Sequence, residues 1–213
     1  MKATIHLIIT LLISYTSFAS AQSVDVKNKI AKVYYTGEMQ TSAVSRLVSV
    51  FDEINKNNDV ERIYLYINSY GGDMDAGLMA AAAVRSSAIP VTAVAMSTVG
   101  SSATIMFCAA NDRRSLPDGS LFLHPASISH QGDVRPADVT YLERETRRFN
   151  EMFKKTYRAC TKLDDAKIAE ILHSEYNLTN YSPSEAMAVG LISSVDKKIM
   201  PATYSYSIIS NTN

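Results

Sequence analysis

Two short apolar runs, "IYLYI" at Ile63–Ile67 and "VTAVAM" at Val91–Met96, lie on either side of an alanine-rich stretch, with short links throughout. The first run is dense in β-branched and aromatic residues and is bounded by Asn68-Ser69 and a glycine pair, which reads as a buried strand. The centre of the stretch between them, Leu78 to Arg85, is a strong helix former, and Ile89-Pro90 stops it. A strand, a helix and a second strand joined this closely form a right-handed crossover, and such a crossover places both strands in a parallel sheet. A parallel sheet needs cover on both faces. The chain is therefore expected to be an α/β protein.

The rest of the sequence repeats the pattern. Val33-Tyr34-Tyr35 reads as a strand and Ala43–Asn55 as a helix with apolar residues at a helical period. Ser101–Ala110 reads as a helix and Leu121-Phe122-Leu123 as a strand. A long amphipathic helix is expected over Pro136–Thr161, with Val139, Leu142, Phe149, Met152 and Phe153 on its apolar side. Helices near Asp164–His173 and Pro183–Val189 precede Gly190, and Leu191–Val195 reads as a last short strand. No linker or repeat divides the 213 residues.

The amino terminus reads as a targeting segment. Lys2, the apolar stretch Ile5–Ile13 and Ala19-Ser20-Ala21 fit a signal peptide over residues 1–21 with cleavage before Gln22. The apolar stretch falls far short of the roughly 20 residues that span a bilayer. Export to the periplasm or the medium follows as an expectation, with residues 22–213 forming one domain whose core covers about 33–195. Basic and acidic residues balance at 21 each, which argues against a general grip on nucleic acid or an anionic membrane. Cys108 and Cys160 make no metal site by their spacing, and Cys108 lies in an apolar run that suits a small buried hydrophobe. Export permits a disulfide, and the sequence leaves bond and thiols both open.

Three places past the ends of expected strands suit chemistry, since open parallel sheets hold ligands there. Gly71-Gly72 lets the backbone approach a ligand and exposes the amides of a helix start, although taken alone the pair is better explained by a tight strand-to-helix turn. Ser101 and Ser102 stand where a strand gives way to a helix, as a nucleophile with its oxyanion amides would, or as a plain helix cap. His124 follows an apolar strand and is the best placed of the four histidines to act as a general base. Taken together, an oxyanion cradle, a hydroxyl and an imidazole on neighbouring strand ends form the set that acyl transfer needs.

These segments resemble the proteolytic subunit of Clp protease, a serine peptidase family on the ClpP/crotonase fold. "IYLYINSYGGDMDAG" is similar to the family's IYLYINSPGG, with Tyr70 in place of proline, and "AMSTVGSSATIMFCAA" is similar to its methionine–glycine–x–alanine–x–serine turn. "LPDGSLFLHPA" and "YSPSEAMAVGLISSV" resemble the later segments, in family order. The resemblance implies a spiral of ββα units with a parallel sheet and a protruding handle helix from Pro136.

It also implies that Ser101 attacks the scissile carbonyl, His124 moves the proton, and the amides of Gly72 and Ser102 hold the oxyanion. The family's third member is an aspartate, which this chain lacks in "HSEYNLTNYSP". Counting from Ile168 puts Glu175 there; counting back from Ser182 favours Asn177 to Asn180, with Asn177 and Asn180 the alternatives. The expected activity is a serine endopeptidase acting on small or unfolded polypeptides, with no cofactor and no metal, as a homo-oligomer whose ring arrangement, stacked or otherwise, the sequence leaves open. The lead Gln22–Lys32 looks too short for pore loops, which makes an AAA+ ATPase partner doubtful. The competing readings are a catalytically silent scaffold and an acyl-CoA enzyme of the crotonase branch, against which export counts.

Overall fold

The computed structural model describes residues 29–210. Expectations that fall on residues 1–28, the signal peptide and most of the polar lead among them, lie outside the described residues.

β1 (Ile30–Gly37), α1 (Thr41–Asn55), β2 (Arg62–Ser69), α2 (Met74–Ser86) and β3 (Val91–Gly100) form two successive parallel crossovers. They are followed by α3 (Ser102–Cys108), β4 (Asp112–Ser115), β5 (Ser120–Leu123) and α4 (Pro136–Cys160). α5 (Asp165–Ile171), β6 (Thr179–Tyr181), α6 (Pro183–Ala188), β7 (Ser194–Val195) and β8 (Tyr204–Ser210) complete the described chain. The sheet runs β6-β5-β3-β2-β1-β8, with β4 beside the first half of β3 and β7 beside β4. Every pair is parallel except β5 with β6.

β2 is apolar on both faces because both are covered. Ile63, Leu65 and Ile67 pack with the helical layer, while Tyr64 and Tyr66 pack with Val94, Tyr34 and Met200 on the other side. Burial pushes the Tyr66 phenol up to about 12, and its oxygen accepts a hydrogen bond from the Met200 amide at 2.9 Å. The alanines of α2 have a packing reason as well as a propensity. Ala76, Ala80 and Ala81 are fully buried, and a Cβ on Gly77 would stand 2.7 Å from the Ser102 carbonyl oxygen, so α2 and α3 meet almost backbone to backbone.

Two differences from the sequence reading, and one point that it left open, bear on the site. β3 runs on to Gly100 instead of ending near Met96, because its register against β2 jumps between Ile67↔Ala95 and Ser69↔Val99. The irregularity lets the second half of β3 leave β4 and pair with β5, aligning Gly100 with Phe122. β8 extends the sheet past Val195, beside β1. Cys108 and Cys160 form a disulfide across a separation of 52 residues, tying the end of α3 to the end of α4.

Candidate active site

The chain leaves β3 at Gly100 and enters α3 at Ser102, so Ser101 alone makes the turn. Its φ of 51° makes it the only non-glycine residue with positive φ among the described residues. Such backbone strain persists only where surrounding contacts fix it. Thr104 supplies them: its amide and its hydroxyl both donate to the Ser101 carbonyl oxygen, at 2.9 and 2.6 Å. Ser101 occupies the cap position of α3, yet its side chain makes no capping bond. The cap reading therefore fails, and the hydroxyl is left for other work. Ser102 does not cap with its side chain either: its Oγ is buried and without a partner.

Across from this turn, Gly71 and Gly72 adopt φ of 106° and 141°. A Cβ on Gly71 would lie 2.4 Å from the Ser101 Cβ, so only glycine allows the two strand-end loops to interlock. The Gly71 carbonyl accepts from Met39 and the Gly71 amide donates to the Ser69 hydroxyl. Among the described residues neither the Gly72 amide nor the Ser102 amide donates a hydrogen bond. Ser102 is the first residue of α3, where unpaired donors and the helix dipole favour negative charge, and Gly72 lies one residue before Asp73, the N-cap of α2.

His124 follows β5, the neighbour of β3, so alignment of Gly100 with Phe122 carries it to the same edge as Ser101. Its ring lies in a file of aromatic side chains, with the Phe122 centroid at 5.5 Å and the Phe153 centroid at 6.3 Å. Tyr70 extends the file beyond Phe122, and Tyr157 extends it beyond Phe153. The loop after His124 is pinned to α4, where the Ala126 amide donates to Asn150 Oδ1 at 2.7 Å. Tyr157 joins the two halves of the site. Its hydroxyl lies 3.4 Å from the Thr104 hydroxyl, and burial pushes its phenol well above the ordinary range, with Thr104 and the nearby His124 backbone opposing the rise.

Glu175 opens a 3-10 turn, Glu175–Asn177, just before β6. Because β6 runs antiparallel to β5 with Thr179 opposite Leu123, that turn is delivered to the histidine. His124 Nδ1 lies 3.1 Å from Glu175 Oε2. The alternatives for this position are elsewhere. Asn177 donates to the Glu170 carbonyl at 2.7 Å, and Asn180 is an exposed residue of β6 opposite Phe122. Glu175 is the one of the three that meets the imidazole. His124 Nε2, the nitrogen left over, is buried without a hydrogen-bond partner, so the bond to Ser101 Oγ is not formed in the isolated chain.

A cavity of about 300 Å3 opens at Ser101 and is lined by Glu38, Gly72, Ser127, Ser129 and Phe153, among others. Among the described residues no group of three or more His, Cys, Asp or Glu side chains could hold a metal ion, and no helix is long and apolar enough to cross a membrane. Sequence reasoning missed Thr104, Phe122 and Tyr157 as site residues. Their signals were present: Thr104 stands one turn past Ser101, Phe122 shares a strand face with His124, and Tyr157 lies four residues beyond Phe153 on α4.

Ser101 and His124 thus stand at the carboxyl ends of the parallel strands β3 and β5, Glu175 is brought to His124 by the turn before antiparallel β6, and the free amides of Gly72 and Ser102 lie beside the serine. The fold and the site define a spiral α/β protein of the ClpP type. The Clp protease family model matches residues 19–198, and the chain belongs to that family. It is 22% identical over 179 residues to the ATP-dependent Clp protease proteolytic subunit of Deinococcus radiodurans, a match covering 82% of this chain and 85% of that one. Against ATP-dependent Clp protease proteolytic subunit 2 of Pseudomonas aeruginosa it is 25% identical over 169 residues, covering 78% and 81%. In three dimensions it resembles a mutant ClpP1 of Listeria monocytogenes with a TM-score of 0.68 at 19% identity, covering 78% of this chain and 91% of that one.

Proposed function

We propose that this chain is a serine endopeptidase that cuts small or unfolded polypeptides. The observation that carries the reading is the strained backbone of Ser101, a residue held at positive φ with its hydroxyl uncommitted at the mouth of a cavity. Family membership supports a peptidase. Ser101 Oγ attacks the scissile carbonyl while His124 Nε2 takes its proton, and Glu175 holds the Nδ1–H and stabilises the imidazolium. The developing oxyanion is met by the amides of Gly72 and Ser102. The proton then passes to the leaving amine, and water repeats the sequence on the acyl-enzyme.

The bond between Ser101 and His124 forms when subunits assemble or substrate enters, since catalytic hydrogen bonds commonly tighten only in the complex. The unformed bond also favours a second reading, an oligomeric scaffold without turnover. The chain is read as exported and cut before Gln22, as a homo-oligomer, and as working without a dedicated ATPase. Recovery of a mature chain beginning at Gln22 from the periplasm or medium tests the export reading.

Hydrolysis of a fluorogenic peptide library by the purified oligomer tests the activity. Cleavage that falls by about 10^4-fold or more in Ser101→Ala is the expected result. Intact oligomers that turn over no library member would leave the scaffold reading standing, and micromolar binding of a CoA ester would revive the crotonase reading.

A further inference from the structure

Two cavities flank the glycine pair, and one side chain reaches both. The cavity of about 300 Å3 holds Ser101, Gly72, Ser127 and Ser129; a second, of about 470 Å3, is lined by Thr36, Asn68, Tyr70 and the glycines. Glu38 lines each of them and is the only charged residue among those described that line either. Its position is built into the fold. The Glu38 carbonyl accepts from the Tyr35 hydroxyl at 3.0 Å, and the next residue, Met39, is bridged to the Gly71–Asp73 backbone through its own amide and carbonyl. The side chain crosses directly over Gly72, where an added Cβ would lie 2.7 Å from the Glu38 Cγ, and Gln40 Nε2 donates to Glu38 Oε2 at 3.2 Å.

A carboxylate in this place has a chemical consequence. An oxyanion forming at the Gly72 amide would gather negative charge in a cavity that already contains an acid, and like charges in a partly enclosed site repel. A cationic group carried by the substrate removes that conflict and gains a charge-assisted hydrogen bond. The walls suit a long side chain with an apolar stem and a charged tip: glycine backbone and the Tyr70 ring for the stem, Glu38 for the tip.

We propose that Glu38 is a specificity-determining residue and that the substrates carry a lysine or arginine next to the scissile bond. The inference rests on the peptidase reading and deepens it. Mass-spectrometric mapping of cleavage sites in a peptide library, with the wild-type oligomer, Glu38→Gln and Glu38→Lys, tests it. The wild type is expected to favour Lys or Arg over Ala or Leu beside the cut by roughly tenfold, the size of one hydrogen bond to a charged group. The preference should fall to near parity in Glu38→Gln and turn toward Asp and Glu in Glu38→Lys. In the wild type it should shrink as ionic strength rises, a readout that needs no variant. Cleavage without a basic preference, or a basic preference unaltered in Glu38→Gln, would overturn the assignment of Glu38 and leave the peptidase standing. Absence of all cleavage together with an unreactive Ser101 would overturn both.

Discussion

The two ends of the candidate triad are held in opposite ways. At the nucleophile end, Ser101 is clamped by two bonds from Thr104, packed against Gly71, and followed by a helix whose end is stapled to α4 through Cys108 and Cys160. At the acid end, Glu175 stands on a one-turn 3-10 helix with no buried residue, its side chain 53% exposed, and meets His124 in a single contact. His124 lies between, its ring wedged among aromatic side chains and 13% exposed. The difference teaches where rigidity is needed. The attacking oxygen must be placed within tenths of an ångström, whereas a carboxylate that orients an imidazole tolerates more play.

Reducing the staple should have the largest effect. Replacing Cys108 by Ser frees a loop of 52 residues, and the chain-entropy account gives a loss of about 4 kcal/mol. Urea unfolding of Cys108→Ser against the wild type measures it, and a change below about 1 kcal/mol would mean that packing alone holds α3 to α4. Next comes Gly71→Ala, whose Cβ would collide with Ser101 at 2.4 Å and sit at a φ that L side chains avoid. Displacing the hydroxyl by even about an ångström should lower kcat/KM by roughly 10^2-fold. Unaltered peptide hydrolysis would show that the two loops are not interlocked. The smallest effect belongs to the exposed end. Glu175→Ala should lower kcat/KM by only about two- to fivefold, since exposed ion pairs contribute up to roughly 1 kcal/mol. A loss as large as that of Ser101→Ala would show that assembly buries Glu175 and makes the two ends alike.

The same contrast sets what the sequence reveals. β2, α2, β3 and α3 are legible because each buries a regular apolar pattern, and the serine and glycine turns between them carry backbone demands that few residues satisfy. β4 is not legible, since "DRRS" looks like a solvated turn. Its side chains are instead committed: Arg113 donates to the carbonyls of Ala110, Cys160 and Leu191, and Arg114 pairs with Asp112 and Asp196. The acid could not be chosen among Glu175, Asn177 and Asn180 by counting, because the segment is held by its antiparallel pairing with β5 and not by an apolar repeat. The disulfide was equally hidden. Nothing local to either cysteine announces a partner 52 residues away.

Mass-spectrometric mapping of a fluorophosphonate on the assembled protein addresses the central claim most directly. The expected result is a single adduct on Ser101, absent from Ser101→Ala and formed far more slowly in His124→Ala. Labelling that persists undiminished in Ser101→Ala, or that proceeds as fast without His124, would contradict it.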